Sequence, residues 1–65
     1  MRFLIEILKY DDTDPPQVLV TFAHSAKSVQ IIRETMKAVQ NSAEWPAGAN
    51  GYRIAWPDGA ETHRR

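Results

Sequence analysis

The first strand of this chain carries apolar side chains on both of its faces, and the rest of the chain has little with which to cover them. Residues 2–10 alternate between Phe3, Ile5 and Ile7 on one side and Leu4, Glu6, Leu8 and Tyr10 on the other. Successive side chains of a strand point to opposite faces, so neither face here is wholly polar. Only one later segment reads as a helix, and one amphipathic helix covers one face of a small sheet. The other face meets water or a partner.

Size sharpens that constraint. With 65 residues the chain makes one domain at most, residues 1–65, and a chain of ~60 residues buries only about 60% of its unfolded surface. Domains of this size lean on disulfides, metals or oligomerisation. The sequence has no cysteine, which removes disulfides and thiolate metal sites. His24 and His63 are too few for an all-imidazole site. Self-association is the support left.

The turn signals divide the chain. Asp11-Asp12-Thr13-Asp14-Pro15-Pro16 breaks the first strand, since aspartates favour turns and prolines cannot continue a ladder. A second strand over 17–23 sets Val18, Val20 and Phe22 on one face and Leu19 and Thr21 on the other. So short a connection favours an antiparallel hairpin. The period then changes. Val29, Ile32, Met36, Val39 and Ala43 recur at spacings of three and four, which predicts a helix over about 26–42 capped by Ser25, or alternatively Ser28. Ile31 lies off the centre of that stripe and widens it. Pro46 ends the helix before Trp45. Tyr52, Ile54 and Trp56 alternate with Arg53 and Ala55 as a third strand over 52–56, and Pro57-Asp58-Gly59 suits a type I turn with a following bulge. A short polar strand over 60–64 can pair back.

The expected fold class is therefore α+β: a small two-layer ββαβ(β) domain with one helix packed on a mainly antiparallel sheet of three or four strands. The third strand can lie beside the first, giving the order 2-1-3 with the fourth strand outside, or beside the second as a parallel pair; the first arrangement is preferred, because the first strand is the most apolar and belongs in the centre. Leu4, Leu8 and Leu19 then form the centre of a helix-free interface, with Tyr10 and Trp45 at its rim. Trp45 reads first as a lid folded over the helix end and the core, and the interface rim is its alternative.

Other chemistry is sparse. The acidic run Asp11, Asp12, Asp14 lacks the glycine and distal glutamate of a calcium loop, so a solvated turn is expected and no metal. His24 beside Ser25 offers a base and a hydroxyl, but sequence neighbours diverge and no nucleophile elbow surrounds them. No catalytic set and no cofactor site is expected, and no enzyme. The net charge is zero, without the basic footprint usual for nucleic-acid binding. Residues 1–24 hold two basic and four acidic side chains, a net of −2, while residues 25–65 hold six and four, a net of +2. Nucleic-acid binding stands as the alternative function, through Arg53, Arg64, Arg65 and the aromatics Tyr52 and Trp56. No signal peptide and no apolar run of ~20 residues is visible, so a cytoplasmic location is expected.

The closing segment Gly51-Tyr52-Arg53-Ile54-Ala55-Trp56-Pro57-Asp58-Gly59, after a hairpin and a single helix, resembles small bacterial proteins of unknown function that end in a strand and an Asp-Gly turn. The resemblance implies a layout and no activity. The leading expectation is a small protein-interaction module, a homodimer or the docking site of another protein.

Overall fold

The computed structural model describes residues 1–11 and 15–64. Asp12, Thr13 and Asp14 of the acidic run and Arg65 lie outside the described residues. The elements are β1 (Arg2–Lys9), β2 (Gln17–Ser25), α1 (Val29–Gln40), β3 (Gly51–Trp56) and β4 (Gly59–Arg64). The four strands form one antiparallel sheet in the order β2-β1-β3-β4, with the apolar first strand inside as its two-faced sequence requires.

One layer of side chains joins helix to sheet. Phe3, Ile5 and Ile7 of β1, Tyr52 and Ile54 of β3, Ile32 and Met36 of α1, and Ala49 are buried together. Phe22, Val29, Trp45 and Trp56 pack around them. Phe3 and Trp56 meet with ring centroids 5.9 Å apart at a tilt of 59°.

Three local features depart from the sequence expectation. The helix is shorter because the sheet claims its predicted first turn. The Ala26 N–H donates to the Met1 carbonyl at 3.0 Å, and the Met1 amine donates to the Ala26 carbonyl at 3.0 Å. Ser25 therefore stays in β2, and Ser28 stands at the helix N-terminus without a side-chain capping bond. At the other end the Ser42 N–H and hydroxyl both turn back to the Val39 carbonyl, and the Asn41 side chain donates to the Lys37 carbonyl. These satisfy carbonyls the helix leaves open.

The second departure changes which residues share a face. Ile7 stands opposite Val20 and Leu8 opposite Val18, so Leu19 is the extra residue of a β-bulge. An odd residue in one strand reverses its alternation. Leu19 consequently packs against the core, and Val18 joins Leu8 on the helix-free side. Strict alternation had placed them the other way round. The third concerns Gly59, which pairs directly with Trp56 and has no positive φ. A Cβ there would come within 3.0 Å of the Trp56 ring, so glycine is needed for close approach and not for a bulge.

Candidate interaction surface

The helix-free face is built of three cross-strand rows. Ala23, Leu4, Ala55 and Ala60 form the first, Thr21, Glu6, Arg53 and Thr62 the second, and Val18, Leu8, Gly51 and Arg64 the third. The rows differ in what they offer. In the middle row Arg53 Nη1 donates to Glu6 Oε1 at 3.0 Å, a partly screened ion pair that makes the centre of the face polar.

The third row is closed over by its own chain. Tyr10 lies against Gly51, whose absent Cβ would sit 2.7 Å from the ring and 2.7 Å from the His63 carbonyl. The Arg64 guanidinium in turn stacks 4.2 Å from the Tyr10 ring centroid. Asn50 fixes the tyrosine. Its Oδ1 accepts from the Tyr10 N–H at 2.6 Å, its Nδ2 donates to the Tyr10 carbonyl at 2.7 Å, and its own N–H donates to the Leu8 carbonyl at 3.0 Å. An asparagine side chain thus extends the ladder one step beyond β3. Leu8, paired with Gly51 in the same row, is only 3% exposed.

Apolar surface survives at the first row and along β2. Leu4 is 44% exposed and borders an open depression of about 380 Å³ shared with Arg2, Ala23, Ala55, Trp56 and Pro57. Val18 is 47% and Val20 40% exposed on opposite faces of the β2 edge, and Ile31 of the helix is 41% exposed. Ile31 faces this edge. Arg33 reaches across to Glu61 on β4, and two helical residues separate side chains by about 200°. The large hydrophobic side chains left in water thus gather on the β2 half of the molecule.

Of the five residues singled out from sequence, Leu4 and Val18's neighbour Leu8 do share a face, Leu4 open and Leu8 covered. Leu19 belongs to the core side. Tyr10 is the lid over Gly51, and Trp45 packs on the core with Nε1 donating to the Ala49 carbonyl at 2.9 Å.

The β4 half carries a polar cluster that sequence reading missed. Arg33 binds Glu61 through both Nε and Nη2, at 2.9 Å and 2.8 Å, and donates to Gln30 at 3.2 Å through Nη1. Glu61 also contacts His63, whose ring stacks on Tyr52 at 4.9 Å. The Arg33 hydrogen bond holds the Glu61 carboxyl below the ordinary carboxylate range against the opposing effect of burial, with His63 adding to the lowering. Burial pushes the Tyr52 hydroxyl up. Glu61 and His63 are two apart on one strand, which is a same-face signal, but nothing in a separation of 28 residues pointed Arg33 at Glu61. A cleft of about 260 Å³ beside this cluster is bordered by Gln30, Arg33, Glu34 and Lys37.

Among the described residues no group of three or more histidines, cysteines, aspartates or glutamates gathers where a metal could be held, and no helix is long and apolar enough to cross a membrane. His24 and Ser25 stand exposed at the end of β2. Compared with family models, curated proteins and solved structures, the chain matches none.

Proposed function

We propose that this chain is a small protein-interaction module that self-associates through the β2 half of its sheet. The observation that carries the reading is the placement of Leu4, Val18, Val20 and Ile31, all two-fifths or more exposed and all on that half. Scattered apolar exposure is ordinary, but Val18 and Val20 on the two faces of one edge strand, with Ile31 on the helix and Leu4 one strand further in, mark this side of so small a domain as a contact surface. Covering four half-exposed aliphatic side chains is worth about 1 kcal/mol each. That alone only reaches the low end of the ~4–15 kcal/mol that association costs. The remainder is available from the backbone of the β2 edge, whose outward N–H and C=O groups can pair with another strand.

The nucleic-acid reading draws less support from the same surface. Arg53 is engaged by Glu6, Arg64 by the Tyr10 ring, and Tyr52 is buried. Sedimentation of the full chain across a range of concentrations tests the proposal. A monomer–dimer equilibrium is expected, and a monomer at every concentration overturns it.

A further inference from the structure

Resting on that reading, we infer that two copies join through antiparallel pairing of β2 with β2, making one continuous eight-stranded sheet with both helices on the same face. Three observations converge on a second copy of the chain as the occupant of this edge. The nine residues of β2 contain no aspartate, glutamate, lysine or arginine, so identical strands meet without like charges. The bulge at Leu19 bends the first part of the strand and leaves Val20 to Ser25 as the regular stretch for pairing. On the helix side, that stretch presents Val20 and Phe22, and the helix presents Ile31 above it. A two-fold axis normal to the sheet brings these side chains from both copies into the furrow between the two helices. The exposed strip becomes shared core.

The furrow fixes the direction. Antiparallel pairing about an axis normal to the sheet puts both helices on one face, where Val20, Phe22 and Ile31 of the two copies meet. Parallel pairing turns one copy over and puts the helices on opposite faces, so the apolar strips would not meet. A two-fold contact of this kind is self-complementary and closed, so it stops at the dimer. The opposite edge also exposes backbone groups, but it carries Glu61 and Arg64, which are held by Arg33 and Tyr10, and has no comparable apolar strip.

The chain's lack of cysteine permits a clean test. Single-cysteine full-length variants T21C on β2, T62C on β4 and A55C on the helix-free face are treated with a short bismaleimide at a concentration where sedimentation shows dimer. T21C is expected to give covalent dimer, and T62C and A55C little. Dimer in solution with crosslinking at Thr62 or Ala55 in place of Thr21 overturns β2 pairing while leaving self-association intact. Monomer throughout overturns both, and would leave the edge to a different protein. V20K places two lysines in the furrow and is expected to raise the dissociation constant roughly a hundredfold, since like charges across a contact cost several kcal/mol. T62K is expected to leave it unchanged, and unaltered helical circular dichroism shows both variants folded. Equal weakening by both variants overturns the assignment.

Discussion

Along β2, nine residues at one edge of the sheet carry no formal charge, whereas the six residues of β4 at the other edge carry Glu61 and Arg64. Both edges expose backbone groups that invite pairing, and they manage the hazard differently. At β4 the charged side chains are tied inward, Glu61 to the helix through Arg33 and Arg64 onto Tyr10, so the edge is short, polar and occupied. At β2 the ladder is interrupted by the bulge at Leu19. This fold ties down the charged side chains of one edge and leaves apolar side chains in water at the other. The helix leans the same way, since its Arg33 flank is anchored to β4 and its Ile31 flank is left open.

The largest perturbation asks whether the two halves are one cooperative unit. Met36 is fully buried in the layer that contains β1, β3 and the helix. Met36→Ala is expected to cost ~2–5 kcal/mol, read by denaturant unfolding. Because β2 and β4 share that layer through β1 and β3, amide protection in both edges should fall together. Loss confined to β2 would show that the open edge unfolds on its own.

Next in size is a change at the contact of β3 with β4 and with the end of β1, away from the exposed β2 strand. A Cβ at residue 51 collides with both the Tyr10 ring and the His63 carbonyl, and the latter is backbone that cannot swing aside. Gly51→Ala is therefore expected to destabilise the fold by ~1–3 kcal/mol, with loss of near-ultraviolet tyrosine signal as the lid over Gly51 lifts. The dissociation constant of the dimer should stay as it was. If the dimer weakens as well, the helix-free face belongs to the contact and the contrast between the edges is too sharply drawn.

How far these regions were legible in sequence follows from what each depends on. Period alone located the helix stripe of Val29, Ile32 and Met36, and the two-faced first strand located itself at the centre of the sheet. The order β2-β1-β3-β4 followed from that one inference. What alternation could not reveal is the bulge, because Leu19 fits a strict period equally well on the wrong side. The lid of Tyr10 over Gly51 was hidden too. It depends on a glycine, a tyrosine and an asparagine from two ends of the chain coming together, and Asn50 looks in sequence like an ordinary turn residue. The Arg33–Glu61 pair was illegible for the same reason. Local pattern assigns faces, and only the folded register brings distant partners together.

Acid distinguishes the anchored edge from the open one by a smaller effect. Glu61 has its pKa lowered in the fold, chiefly by the Arg33 hydrogen bond. A carboxyl lowered in this way adds stability above its unfolded pKa, and that stability is lost as pH falls through the folded value. Melting temperature should decline on acidification from the ordinary carboxylate range downwards. Glu61→Gln removes the titrating group, so its profile should be flatter over that window than that of the parent chain. An unchanged slope would mean that Arg33 and Glu61 do not stay paired in solution, and the β4 edge would be less occupied than its geometry indicates.

The smallest effect on the folded monomer is expected at β2 itself, which makes it the sharpest discriminator. Val18→Thr with Val20→Thr keeps β-branched side chains in the strand and removes apolar surface only where the side chains already face water. Exposed substitutions of this kind change stability by about 0.5 kcal/mol or less. Any contact that binds the folded chain and not the unfolded one makes the melting temperature rise with protein concentration. The parent chain should show that rise, and the double variant should not, while the two melt alike at high dilution. A variant that melts lower even at high dilution would mean that Val18 and Val20 support the fold of a single chain, so the open edge would be part of the monomer's own core and the difference between the two edges would lose its functional meaning.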